Sequence, residues 1–478
     1  MITLSRPAQP GAIRRRPRRP RLRALVGSLA VCVLAIGAAA GDGIAGSGDH
    51  AGGSSSASTF ADSAQQLTQG SLGGGSSSST ASALDGSTVD EGCLQYPASC
   101  YVPQSFRTAY GIQALLDHGI DGRGQTVVLP EVESRPPVSG PDVTDIRQDL
   151  AQFDGLNHIP AATLQVVTTL ATGASPYLAG FEEVEDVEIV HAVAPAAAID
   201  IVLLPPSDLS SPAVFIQALT DFLQLAESRG NIVSISASLG EHFVPPAQVA
   251  QLNAALQAAQ AHHVTVVASS GDTGAASDLH FNAAPTKEVS LPAADPLVLA
   301  AGATSLALDP ATGAYSGEIA PNSSGGGFSH LFSRPGYQDG VARTTAARGV
   351  PDVAADGDAE TGMALVIAAG NGGYSLFPAG GTSAAAPLWA GVIALADQYA
   401  GRSLGFVNPA IYRIAQSSAG HTAFHDITVG NNSVVAVPSL ISGYQAAPGW
   451  DPVTGWGSPD AQVLVPLLAH DVRPGDAG

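Results

Sequence analysis

An alternation of continuous apolar runs with helix-period segments constrains this chain more than any other feature. The runs are Thr126–Leu129, Ile199–Leu204, Ile232–Ala237, Val264–Ala268, Leu297–Ala301 and Met363–Ala368. Most lack polar alternation, which suits strands covered on both faces. Helical patterns lie between them near Leu178–Ala192, Ala213–Ser228 and Ala247–His262. This βαβα order predicts an α/β domain with a doubly wound, mostly parallel sheet flanked by helices. The C-terminal stretch is rich in Gly, Pro and Asn and reads as loops.

The first 40 residues carry eight arginines and no acid, and Ala24–Ala40 is apolar and small, ending in Ala38-Ala39-Ala40. That is the form of an export signal with a cleavage site. Its 17 apolar residues are short for a bilayer span, so either a cleaved signal or a retained anchor, a membrane tether through 24–40, fits. Residues 41–90 are mostly Gly, Ser, Ala and Thr. They bury too little apolar surface to offset ordering entropy and read as a disordered linker. The globular domain is expected over 91–470.

Without its first 40 residues the chain has 12 Lys and Arg against 41 Asp and Glu, a formal charge of −29, and Lys287 is its only lysine. Such a chain is not a nucleic-acid binder. Mild acid relieves the repulsion among its carboxylates. Of three cysteines, Cys32 lies in the signal. Cys93 and Cys100 are expected to close one small disulfide loop in an exported protein; the alternative, a reactive thiol or metal pair, has no third ligand nearby.

Three stretches carry residue types suited to catalysis. In Gly380-Gly381-Thr382-Ser383-Ala384-Ala385-Ala386-Pro387 a serine follows a glycine turn and opens an apolar run that stops at Gly401. Ser383 there is a nucleophile or a helix N-cap. In Phe181-Glu182-Glu183-Val184-Glu185-Asp186-Val187-Glu188, Glu182 and Asp186 stand one helical turn apart on one face. Two carboxylates that close share a proton and can act as base and orienter; the same run also reads as a solvated acidic face, to which Glu183, Glu185 and Glu188 are assigned. In Ser269-Ser270-Gly271-Asp272-Thr273-Gly274 a buried strand runs into a turn, where Asp272 is either a turn residue or a site acid.

These stretches, in this order, resemble the sedolisins (serine-carboxyl peptidases), acid-active relatives of the subtilisin-like peptidases. The serine stretch matches Gly-Thr-Ser-Ala-x-x-Pro, the acid helix Glu-x-x-x-Asp-x-x-x-x-His-Ala-x-Ala-Pro, and the turn Ser-Ser-Gly-Asp-x-Gly. A subtilisin-like enzyme would need an Asp-Ser/Thr-Gly after an early strand and a His-Gly-Thr opening a helix, and neither stands in such a place here. The resemblance implies a subtilisin-like fold, Ser383 as nucleophile, Glu182 as base, Asp186 as orienter and Asp272 at the oxyanion. It implies a supporting role for Glu131, with Glu133 as a rival, and a structural role for His191. Arg348–Val353 is implied to be structural, and Gly325–Ser329 an edge of the substrate cleft.

Near the C-terminus, His425-Asp426-Ile427-Thr428 and Gly449-Trp450-Asp451-Pro452 resemble the family's calcium site. That implies a loop-rich C-terminal calcium-site region, with Ca2+ held by Asp426 and Asp451 carboxylates and by carbonyls of Ile427, Ala447 and Gly449. Such oxygen ligands suit a hard cation, although both stretches also read as turns. The implied protein is a secreted monomer acting on proteins or peptides. Two departures stand out: 41–90 occupies the place of the family's folded pro-domain, and Leu239 that of an aromatic residue. A neutral-pH peptidase with a recruited histidine and a non-catalytic binding protein on the same fold remain as alternatives.

Overall fold

The structure, a computed structural model, describes residues 100–132, 145–168, 180–204, 211–276, 286–309, 312–368, 373–436 and 439–472. The central strands are β1 (Thr126–Val132), β2 (Thr163–Thr168), β3 (Ala198–Leu204), β4 (Ile232–Ile235), β5 (Thr265–Ser269), β6 (Leu299–Leu308), β7 (Tyr315–Ile319) and β8 (Val353–Asp356). They form one sheet in the order β8-β6-β5-β4-β1-β3-β2, and every pair along that path is parallel. Only β7 runs antiparallel, on β6. The expected doubly wound, mostly parallel sheet is therefore present. Chain order reverses around β1, which lies between β3 and β4; α/β sheets form their ligand crevices at such switch points, beyond the C-terminal strand ends.

Alternate residues of each strand feed two cores. Val127, Leu129, Ile199 and Ile201 face one core, which includes helix α1 (Phe181–Val193). Val128, Val202 and Val233 face the other, built with α2 (Pro212–Ala226) and α3 (Pro246–Ala261). Pro130 is tolerated inside β1 because the β1–β4 ladder covers only Val127 and Val128, so it lies past that pairing.

The first core is centred on α4 (Gly381–Ala400), buried from Gly381 to Asp397 and closed by Gly401 in the left-handed conformation at φ +66°. This is the helix expected from the apolar run, and Gly401 is the C-terminal stop that a residue without Cβ permits. Trp389, fully buried, donates its indole N–H to the Ala354 carbonyl at 2.9 Å. Gly391 lets α4 approach α1: a Cβ there would lie 2.5 Å from Val193 Cγ1.

Two sequence expectations are corrected. Met363–Ala368 is a strand over Ala364–Ala368, but it pairs antiparallel with Tyr374–Pro378 outside the central sheet. The parallel edge position goes instead to β8, whose four residues are too short a run to stand out. The solvated acidic face of α1 does not exist. Glu183, Glu185 and Glu188 are all buried, because sheet and helices cover that helix on nearly every side. Cys100 is buried and disulfide-bonded; Cys93, its expected partner, lies outside the described residues, as do the segments 1–40 and 41–90. Among the described residues no helix is long and apolar enough to cross a membrane.

Candidate active site

Glu131 is the penultimate residue of β1, Ser236 follows β4, Asp272 follows β5, and Ser383 sits in the first turn of α4. All four elements meet at the C-terminal edge of the sheet. The N-cap of α4 is Gly380, so Ser383 is not the capping residue, and its burial at 2 % exposure needs another reason.

The turn before Ser383 is held residue by residue. Helix geometry leaves the first N–H groups without intrahelical acceptors. Gly380 N–H donates to Glu185 Oε2 at 2.9 Å, Gly381 N–H to the Gly357 carbonyl at 2.7 Å, and Thr382 N–H to Asp272 Oδ1 at 2.6 Å. Thr382 Oγ1 also donates to Asp272 Oδ1, at 2.9 Å, and accepts the Gly271 N–H at 3.0 Å. Gly381 takes φ +80°, and a Cβ on it would lie 2.9 Å from Asp272 Oδ2. Glycine is required there both for the backbone conformation and for the approach of that carboxyl.

On the other side stand the carboxyls of α1. Asp186 Oδ1 accepts from Ser236 Oγ at 2.7 Å, and the same hydroxyl lies 3.3 Å from the Ser383 carbonyl. Asp186 Oδ2 and Glu131 Oε1 are buried with no hydrogen-bond partner among the described residues, and the two carboxyls lie close enough to interact. The hydrogen bond between the two side chains holds Asp186 down and pushes Glu131 up. Burial pushes Asp186 up to about 7 against that bond and the one from Ser236. Burial first, then the charges of Asp186, Glu183 and Glu182, raise Glu131 well above the carboxylate range. Glu182, half-buried in the first turn of α1, is near enough for its charge to raise Glu131 and Glu185 as well. His191, by contrast, is buried away from this group, with Nε2 2.9 Å from Asp154 and 3.0 Å from the Pro160 carbonyl. Arg348 and Asp352 form a fully buried ion pair at 2.6 Å, as a structural reading expects.

The structure thus gathers Glu131, Asp186, Asp272 and Ser383 at one strand edge, with Glu182 beside them. Sequence reasoning missed Ser236, Thr382 and Glu185 as members of this group. Thr382 stood in the motif itself, and Ser236 directly follows a strand whose neighbours end in site residues. Glu185 carried no signal, because helical spacing alone does not say which faces are buried.

In the C-terminal loops, Gly449 N–H donates to Asp426 Oδ2 at 2.8 Å, which joins the two calcium-like stretches. Asp451 accepts from the N–H groups of Ala447, Val453 and Thr454 at 2.8–3.0 Å. Burial pushes it up to about 6 while those bonds hold it down. Ile427 is buried at the same place. Carboxylates and carbonyls are the available donors, which fits a hard cation and not a soft one; among the described residues no group of three or more His, Cys, Asp or Glu could hold a metal ion.

A doubly wound sheet that presents a serine at the start of a buried helix, among acids at the strand ends, defines the class of subtilisin-like hydrolase folds. The model of the subtilase family matches residues 167–442. The chain belongs to that family, in its sedolisin (serine-carboxyl peptidase) branch. It is 34% identical over 380 residues to kumamolisin of Bacillus sp. (strain MN-32), covering 76% of this chain and 62% of that protein. It is 31% identical over 264 residues to human (Homo sapiens) tripeptidyl-peptidase 1, covering 50% of this chain and 43% of that protein. The chain therefore spans less than two thirds of either relative. The solved structure of Pseudomonas sedolisin, a serine-carboxyl proteinase complexed with two molecules of pseudo-iodotyrostatin, matches at a TM-score of 0.62. It is 26% identical, and the match covers 78% of this chain and 98% of that one.

Proposed function

We propose that this protein is an exported, acid-active serine peptidase that cleaves proteins or peptides through an acyl-enzyme. The observation that carries the reading is the chain of contacts from Ser383 through Ser236 to Asp186 and its neighbour Glu131, with Asp272 across the same turn. Ser383 Oγ attacks the scissile carbonyl and forms the acyl bond. Glu182 takes the hydroxyl proton and delivers it to the leaving amine, and water then releases the acyl group by the reverse sequence. Asp186, backed by Glu131, orients Glu182. The oxyanion is stabilised by the Ser383 N–H and by Asp272, which donates only when protonated. That requirement ties turnover to low pH and is the reason for preferring this reading over a neutral-pH peptidase.

Ca2+ is the cofactor of this reading, held by Asp426 and Asp451 and by the carbonyls of Ile427, Ala447 and Gly449; it would tie the C-terminal loops together. Export rests on the first 40 residues and the Cys93–Cys100 pairing on an oxidising destination, and the protein is expected to act as a monomer. The test is digestion of a denatured protein by the purified chain from pH 3 to 8, with sequencing of the products. Ser383→Ala should abolish cleavage while leaving the fold intact. Residual turnover within tenfold of wild type would remove Ser383 from the mechanism.

A further inference from the structure

We propose that Glu185 is a positioning residue of this site, whose hydrogen bond to the Gly380 N–H fixes the turn that presents Ser383. The proposal rests on the peptidase reading above. Glu185 is fully buried, and its Oε2 accepts the Gly380 N–H at 2.9 Å. It occupies one of the unspecified positions within Glu-x-x-x-Asp, between Glu182 and Asp186. A buried carboxyl is costly wherever an amide or a carbonyl would serve, so its presence at a functional turn calls for a role.

The geometry supplies that role. Of the successive N–H groups of Gly380, Gly381 and Thr382, the first goes to Glu185, the second to Gly357 and the third to Asp272. Loss of the first lets the turn rotate about Gly380 and Gly381, glycines with little steric restraint. Ser383 lies two residues beyond.

Glu185 does this as a neutral acid. Its Oε1 is buried and faces no donor among the described residues. The groups around it are themselves acids: Glu182 and Asp186 on its own helix, and Asp272 from the loop after β5. Burial, then the Glu182 charge, raise it well above the carboxylate range against the Gly380 bond. A proton on Oε1 leaves Oε2 free to accept.

Two substitutions in the full chain separate acceptor placement from charge. Glu185→Gln keeps a carbonyl acceptor in place and cannot ionise. Glu185→Asp keeps the acid but withdraws it by one methylene. We expect kcat per titrated active site at pH 4 to be within threefold of wild type for Glu185→Gln. For Glu185→Asp it should fall at least tenfold, with KM within threefold in both. A Glu185→Asp enzyme as active as Glu185→Gln, or more so, overturns the proposal, because acidity and not reach would then matter. Should Glu185→Asp not fold, the amide variant decides through its pH profile. A threefold-conserved kcat with no downward move of the alkaline limb upholds the proposal. A larger loss overturns it, and so does a downward move, since removing a negative charge lowers neighbouring pKa values. A wild type without activity, or one unaffected by Ser383→Ala, would instead defeat the peptidase reading itself.

Discussion

Asp272→Asn is the substitution for which the structure makes the sharpest demand. Asp272 Oδ1 already accepts two hydrogens, from Thr382 N–H at 2.6 Å and Thr382 Oγ1 at 2.9 Å. That oxygen is committed as an acceptor, so any donation to an oxyanion comes from the other. An asparagine placed with its carbonyl on the Thr382 donors presents its amide hydrogens where the carboxyl proton would be, at every pH. Loss of one oxyanion donor costs about 10²–10³ in kcat, or ~2.7–4 kcal/mol. Asp272→Ala should show that loss, and it also strips the Thr382 N–H of its acceptor, worth about 1 kcal/mol of stability. Asp272→Asn should keep kcat within tenfold of wild type at acid pH. Its alkaline limb should move upward, because the donor no longer needs a proton from solution. The assay is kcat from pH 3 to 8 on a quenched fluorescent peptide, with active-site titration at each pH. An alkaline limb unmoved in Asp272→Asn refutes the role of Asp272 and leaves the limb to the Glu182–Asp186 pair. A wild-type optimum at neutral or alkaline pH refutes carboxyl-dependent catalysis altogether.

Chelation should lower the melting temperature, since a cation bound only by the folded state stabilises it, and Asp426→Ala should remove that response; a wild-type melting curve indifferent to EDTA, with no calcium copurifying, defeats the metal assignment. Stability should fall as pH rises: Asp186 and Asp397 are both pushed by burial from 3.8 to about 7, so the folded chain holds protons that the unfolded chain releases. Their contribution is complete below about pH 4 and is lost as pH passes through about 7, on the order of 4 kcal/mol for Asp397. Urea denaturation at pH 4.5 and 8 measures this, with equal stability at the two values as the opposing result.

Much of the fold was legible because its strands are covered on both faces. Five of the six expected runs lie in the central sheet, where continuous Val, Ile, Leu and Ala leave little doubt of burial. Helix α4 was legible for its whole length, from the glycine turn to Gly401. The edge strands were not. β2 reads Thr-Leu-Gln-Val-Val-Thr, with an exposed Gln165, and sits at the sheet margin, where one-sided burial weakens the pattern. At the site, Ser383, Asp186 and Asp272 were legible through fixed motifs. Ser236 and Glu185 were not, because their roles arise from contacts made across 147 and 195 residues of chain. The burial of α1 likewise depends on what packs over it, and a run of five acids reads as solvated until that cover is known.

The close approach of α1 and α4 at Gly391 has a consequence for how activity responds to the interior. The helix that carries Glu182 and the helix that carries Ser383 approach each other through a glycine-to-valine contact deep in the core, at Gly391 and Val193, as well as through the Glu185–Gly380 hydrogen bond at their first turns. The placing of Ser383 relative to Glu182 therefore depends on interior packing as well as on the contacts of their first turns. Warming or a conservative core substitution can shift the two helices by fractions of an ångström while the chain stays folded. Under the peptidase reading proposed above, turnover should therefore decline on mild warming before any signal of unfolding changes.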